Sequence, residues 1–172
     1  MKFKNECMIE KVTDGPKGYR PQLQNVYFDA DKQKLIATDG KHMAVIPCEK
    51  EDGDTSGFIS PEAIKEYRKQ SKKSLVSLIA NGQQKIGPFS LERPTTETHG
   101  QYPNWEAVIP KEDAEKPVTF EVGLNASLLL QIAQALGSAD NVIHLKFRGP
   151  LDVIVVEESN NKGVGYLMPV RV

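Results

Sequence analysis

The sequence predicts an α+β fold in which antiparallel sheets back two helices. Two segments, 61–72 and 126–136, place apolar residues at helical spacing behind residues suited to capping. Around them, short stretches alternate apolar and polar side chains with the two-residue period of half-buried strands. The order strand, helix, strands also recurs at a period of roughly 50 residues, as a repeat in pattern rather than in identity.

The elements follow in order. Residues 1–12 predict a strand around Met8-Ile9, and 13–18 form a Gly/Pro turn cluster. Leu23 to Phe28 is a strand by its β-branched and aromatic content, Leu35 to Thr38 its return, and Met43 to Ile46 a third strand. The acidic, Gly-containing stretch 49–57 reads as a solvated loop. In the helix 61–72, Ser60 suits the cap, Pro61 the first turn and Glu62 the positive N-terminal end, with Ala63, Ile64, Tyr67 and Ser71 as its buried face. Strands are expected at 75–80 and 84–92, joined through Asn81-Gly82. From Arg93 to Pro117 the chain is Pro-rich and aperiodic, an extended connector. Val118, Phe120, Val122 and Leu124 alternate as a strand. Asn125 caps the helix 126–136, with Leu128, Leu129, Ile132 and Leu136 facing the core and Gly137 stopping it. Three closing strands follow from alternation of Ile143, Leu145 and Phe147, of Leu151, Val153 and Val155, and of Val164, Tyr166, Met168 and Val170.

Composition narrows the function. With 172 residues, 39% hydrophobic and 26% charged, the chain matches an ordinary soluble protein of one domain or two small ones. No apolar run reaches membrane-spanning length, and the charged start Met1 to Glu6 lacks a signal-peptide core, so a cytoplasmic protein is expected. A net charge of −1 counts against a protein that lives by gripping phosphates or reading base sequence. Cys7 and Cys48 are expected as reduced thiols, and His42, His99 and His144 are scattered without metal-ligand spacing, so neither metal nor cofactor is expected. Enzymatic readings are poor. Asp39 and His42 lie close in sequence without a nucleophile in a recognisable frame, no Gly-rich phosphate loop occurs, and the carboxylates at Glu49, Glu51, Asp52 and Asp54 suit a solvated loop better than a metal site.

Three segments together resemble the bacterial DNA polymerase III β subunit, the DNA sliding clamp family. They are Arg20-Pro21-Gln22-Leu23 through Phe28 with Leu35 through Ala44 (including Ala37-Thr38-Asp39-Gly40-Lys41-His42-Met43-Ala44), then Tyr102-Pro103-Asn104-Trp105-Glu106-Ala107-Val108-Ile109-Pro110, and finally Gly165-Tyr166-Leu167-Met168-Pro169-Val170-Arg171-Val172. They occur in the family's order. The resemblance implies a DNA-clamp-like fold of strand–helix–strands modules. Residues 1–110 would resemble the second clamp domain, with a first module lacking its helix and a second at 57–105, and 111–172 would form a C-terminal half-domain module. A family subunit carries three domains of two such modules; here the module expected between Pro110 and Pro117 is missing.

In the family these segments line a hydrophobic cleft for short linear motifs of polymerases, the clamp loader and repair proteins. The resemblance therefore implies cleft residues Leu23, Thr38, Gly40, Lys41, His42 and Met43 from the first segment, Pro103 and Val108 from the second, and Tyr166, Met168, Pro169, Val170 and Arg171 from the third. Met43 and Met168 would form an adaptable floor for Leu or Phe anchors, and Lys41 and Arg171 a polar rim. By composition alone, Thr38-Asp39-Gly40 is equally an ordinary turn and Met168-Pro169-Val170 an edge strand. Ala107 departs from the family, which usually has a basic residue there.

A second feature is a stripe of Lys65, Arg68, Lys69 and Lys72 at i, i+3, i+4 and i+7, extended by Lys73, which suits contact with DNA phosphates or equally a solvated helix face. The second helix offers only neutral residues, Ser127, Gln131, Gln134 and Ser138. The expected function is a non-enzymatic replication accessory protein, a polymerase processivity factor that docks partner peptides, binds duplex DNA without sequence specificity and assembles as a homo-oligomer. The alternatives are a monomeric adaptor or decoy that sequesters clamp-binding proteins, and an unrelated small binding protein.

Overall fold

The computed structural model describes residues 1–4, 7–70, 83–86, 89–109, 120–136, 142–158 and 163–170, excluding the side chains of residues 83–85 and 89–90. The chain forms two compact units, Met1–Ile109 and Pro110–Val172.

The first unit is organised by an antiparallel sheet of order β3-β2-β1-β4, with β1 Val26–Asp29, β2 Lys34–Thr38, β3 Met43–Pro47 and β4 Gly57–Ile59. Successive side chains of a strand point to opposite faces, and here both faces are apolar. Val26, Phe28, Leu35, Ala37 and Ile59 pack on one side with Ala63, Ile64 and Tyr67 of helix α1 (Pro61–Gln70). Tyr27, Ile36, Met43, Val45 and Phe58 pack on the other with Leu23, Tyr102 and Trp105. The helix starts as the sequence predicts: Ser60 Oγ accepts the Ala63 N–H at 3.2 Å. Tyr67 stacks on Phe3 with ring centroids 4.4 Å apart.

Several expectations need correction here. The stretch around Met8-Ile9 is no strand; Ile9–Val12 is a 3-10 turn whose Ile9 enters the core. Two apolar neighbours without alternation do not define a strand, and among the described residues the one ladder contact of this arm is the Lys2–Glu49 bridge. The single strand expected over 84–92 is a hairpin of β5 (Gln83–Ile86) and β6 (Phe89–Glu92), in register Ile86↔Phe89. The intervening Gly87-Pro88 is itself a turn pair in the sequence. The connector after Arg93 carries the short helix α2 (Thr96–His99) and a 3-10 turn at Trp105–Val108. The strand expected at 75–80 and the Asn81-Gly82 turn lie outside the described residues.

In the second unit, helix α3 (Ala126–Leu136) lies on an antiparallel sheet of order β7-β8-β9, with β7 Ile143–Lys146, β8 Ile154–Glu158 and β9 Val164–Leu167. Asn125 Oδ1 accepts the N–H groups of Ser127 and Leu128 at 3.0 and 3.2 Å, the expected cap. The described part of the strand expected over 118–124 makes only the bridge Gly123↔Val170. Leu129, Ile132 and Leu136 face the sheet, whereas Leu128, expected to join them, is exposed.

The structure settles which side chains of β8 and β9 face inward. Ile154, Val156 and Leu167 are buried, while Leu151, Val153, Tyr166 and Met168 are exposed. Residues 153–156 are apolar at both parities, so alternation alone leaves the inward face open. Gly165 closes the choice. It pairs with Val156 beneath α3, where an added Cβ would lie 2.3 Å from Ile132 Cγ2. Only the glycine lets the helix approach this strand.

Two outcomes follow. Gly165→Ala overpacks this contact and costs about 1–3 kcal/mol, read as faster amide exchange in α3 with Trp105 fluorescence, which reports the first unit, unchanged. Burial pushes the Cys48 thiol from 9.0 up to about 12. A raised native value means stabilisation that is complete below pH 9.0 and lost as pH rises towards about 12. Wild type therefore loses denaturant midpoint across that interval and Cys48→Ala does not share the loss; in native protein at neutral pH, iodoacetamide modifies Cys7 and spares Cys48.

Candidate functional site

The second apolar face of the β1–β4 sheet opens at one end into a depression of ≈ 440 Å³. Its first wall is the connection between β2 and β3, folded by its own side chains. Asp39 Oδ1 accepts the N–H groups of Lys41 and His42 at 2.8 and 3.0 Å. Thr38 Oγ1 accepts the Gly40 N–H at 2.9 Å and donates to the His42 carbonyl at 2.6 Å. Hydrogen bonds from the backbone of His42 and Lys41 hold the Asp39 carboxyl below the usual carboxylate range. His42 Nδ1 also lies 3.0 Å from Asp39 Oδ1. Gly40 takes φ +85°, a left-handed conformation that favours glycine.

Arg20 closes this wall. Its Nη2 donates to the Asp39 carbonyl at 2.8 Å, and the guanidinium lies over Gly40, where a Cβ would come within 2.4 Å of Nη2. The 3-10 turn Pro21–Leu23, with the Leu23 N–H donating to the Arg20 carbonyl at 2.9 Å, sets Arg20 at the rim and Leu23 in the floor.

The opposite wall is Pro103, Asn104, Trp105 and Val108. It is anchored by Tyr102, which is buried, stacks on Tyr27 at 4.8 Å and meets Phe58 edge-on at 6.0 Å. Burial pushes the Tyr102 phenol well above its ordinary range, so it is neutral. Lys32 Nζ sits 5.2 Å from the Trp105 ring centroid and pairs with Glu106, fixing the outside of the same wall. An apolar interior of Leu23, Met43, Pro103, Trp105 and Val108 is thus bordered by the cationic side chains of Arg20 and Lys41.

All eight cleft candidates of the first unit, Leu23, Thr38, Gly40, Lys41, His42, Met43, Pro103 and Val108, line this one depression. Sequence reasoning missed Arg20, Asn104 and Trp105 as lining residues. The three-residue spacing of Arg20 and Leu23 across Pro21 was the available signal for the first. In the second unit Tyr166, Met168 and Val170 are exposed and Pro169 is half buried, and the Val170 N–H donates to the Gly123 carbonyl at 2.9 Å. Arg171 lies outside the described residues. On α1, Lys65 and Lys69 are exposed, with Lys69 3.4 Å from Glu66. Arg68 instead turns into the unit, half buried, to pair with the buried Glu10. Lys72 and Lys73 lie outside the described residues. Among the described residues no three His, Cys, Asp or Glu side chains gather as a metal site, and no helix is long and apolar enough to cross a membrane.

The turn is testable through a pair of glycines. Gly40 and Gly53 have φ +85° and +88°, but a Cβ at Gly53 meets nothing within 4 Å. Gly53→Ala therefore costs only the backbone term of about 1–2 kcal/mol, and Gly40→Ala costs more by the displacement of Arg20. Thermal melts should show the gap close when Arg20→Ala is added to Gly40→Ala.

No protein-family model matches the chain, and no curated protein does. Solved structures do. The β chain of DNA polymerase III from Streptococcus pneumoniae TIGR4 superposes with a TM-score of 0.65 at 16% identity, over 99% of this chain and 49% of that one. The β sliding clamp of C. crescentus gives 0.47 at 19% identity over 96% and 62%, and a sliding clamp of Bartonella birtlesii bound to griselimycin gives 0.45 at 19% over 96% and 64%. This chain spans about half the length of the pneumococcal subunit. On that superposition, and with antiparallel sheets backing its helices, the chain has an α+β fold of the bacterial sliding-clamp kind.

Proposed function

We propose that this chain is a clamp-like accessory of DNA replication that works in the cytoplasm by binding, not by catalysis, and that the depression of the first unit captures short linear peptides of a polymerase or clamp-loader protein. The observation that carries this reading is the convergence of Leu23, Met43, Pro103, Trp105 and Val108 into one open apolar depression with a polar rim. Apolar grooves of this size take one or two large side chains of an extended segment, with rim groups fixing direction. Met43 gives the floor a side chain that adapts to different anchors.

A role as processivity factor requires in addition that DNA be held. Two features favour the other reading, an adaptor or decoy that binds such peptides without encircling DNA. Arg68, in the middle of the cationic stripe, is committed to Glu10, and α3 carries no charged residue. Phosphate contact then rests on a few exposed lysines, whose binding would be weak and steeply salt-dependent.

Fluorescence anisotropy with a labelled peptide carrying adjacent Leu and Phe anchors tests the site. Met43→Ala and Leu23→Ala should each weaken binding by about tenfold, the cost of truncating an anchor contact of 1–2 kcal/mol, while Lys65→Ala leaves it unchanged. Affinity indifferent to Met43 and Leu23 refutes the site. Salt-sensitive binding of duplex DNA, lost in Lys65→Glu with Lys69→Glu, would favour the processivity role over the adaptor.

A further inference from the structure

The two walls of the depression differ in how they are held. The Thr38–His42 wall is bound by its own side chains. The Trp105–Val108 wall is a single 3-10 turn with no buried residue and no side-chain cap from Asn104. Its internal bonds are long: the Ala107 N–H reaches the Asn104 carbonyl at 3.3 Å and the Ile109 N–H the Glu106 carbonyl at 3.2 Å. Trp105 packs only part of its ring on the cluster of Leu23, Ile36, Phe58 and Tyr102. What steadies this wall from outside comes from the connection between β1 and β2. There Gln33 takes φ +52°, among the described residues the one left-handed position not occupied by glycine. An L side chain resists that conformation, and strain of this kind marks a segment whose shape matters. Three bonds hold it. Asp29 Oδ1 accepts the Lys32 N–H at 3.0 Å, the Gln33 carbonyl accepts the Cys48 N–H at 3.0 Å, and Gln33 Oε1 accepts the Lys50 N–H at 3.4 Å. The turn so fixed sends Lys32 across to the wall.

We infer that Lys32 is a positioning residue of the peptide site and that Trp105 is the wall residue through which it acts. The inference rests on the reading of the depression as a peptide site. One ammonium engages two neighbours of the turn at once: Lys32 Nζ pairs with Glu106 and lies over the Trp105 ring, 5.2 Å from its centroid. The ion pair fixes where the turn stands, and the cation over the ring fixes how the indole is turned. Trp105 in turn lines the depression beside Pro103 and Val108, so a peptide anchor packs against a ring whose place is set from behind. Lys32 itself is not among the lining residues. Its effect is therefore indirect, and it has an unusual signature. Capture of a wholly uncharged peptide depends on an ion pair outside the depression, and that pair is weakened by salt. The rim cations Arg20 and Lys41 would act differently, by contact with charges or acceptors that the peptide brings.

Trp105 is the single tryptophan of the chain, so its fluorescence reads the wall directly. Two measurements on the full chain test the inference: acrylamide quenching of Trp105 without ligand, and calorimetric titration with an uncharged, end-capped peptide carrying adjacent Leu and Phe anchors. Lys32→Ala should raise the quenching and weaken the peptide by about threefold, the scale of an exposed ion pair with a cation over a ring. The gap to wild type should shrink at high salt. Lys32→Arg, and the exchange Lys32→Glu with Glu106→Lys, should each recover most of the loss. A Lys32→Ala protein with wild-type quenching and wild-type affinity overturns the inference. Raised quenching with unchanged affinity overturns it too, leaving Lys32 a structural residue only. A wild type that binds no such peptide is a different failure: it removes the peptide site itself, and the positioning role falls with it.

Discussion

The first unit depends on the two-sidedness of one sheet. Strands β1 to β4 carry apolar residues at both parities, so neither face can be left to water. One face is closed by α1 and the N-terminal arm. Among the described residues the other is covered by a short stretch, Leu23 with Tyr102 and Trp105. Because that cover is narrow, it leaves a depression at the end of β2 and β3, where Met43 and Leu23 are reached from outside. Core and candidate site are therefore one construction. Tyr27 and Phe58 hold Tyr102, Tyr102 holds the Pro103–Val108 wall, and Ile36 fills the space beneath.

The rim is organised by polar bonds that cost the apolar floor nothing. The Thr38–His42 connection satisfies the N–H groups of Gly40, Lys41 and His42 through Thr38 and Asp39, and Arg20 takes the Asp39 carbonyl. This places a guanidinium over Gly40, where an added Cβ would displace it. The Asp39 carboxylate is consumed by the turn, so the charge the depression presents outward is that of Arg20 and Lys41. A bound peptide would meet apolar surface below and cations at the edge, which suits a ligand pairing a large apolar anchor with an acceptor or acid beside it.

Local signals in the sequence were sufficient where the deciding residues are neighbours. Asn125 before an apolar 3.6-residue pattern located α3 at both ends, and Ser60-Pro61-Glu62 located the start of α1. The segments meeting at the depression were legible because they resemble sliding-clamp strings, not because periodicity pointed to a cleft. What escaped was set by partners distant in sequence. Arg68 belongs to a regular cationic stripe by spacing, and only Glu10, 58 positions away, takes it out of that stripe. Alternation leaves the inward face of β8 and β9 open, because it is decided by Gly165, a small residue at the position where Ile132 presses on the sheet. Ile9 follows the same logic: its partners are strands that follow it by tens of residues.

The two helices show what the shared fold leaves free. Both lie on antiparallel sheets behind well-formed caps, yet α1 has buried aromatic and aliphatic anchors with charges outside, while α3 is only partly covered and uncharged throughout. A helix whose purpose was to meet phosphates would carry the first kind of exterior. One whose exterior is leucine, glutamine and serine is suited to another protein surface. The walls of the first unit's depression rest on a core that is already closed.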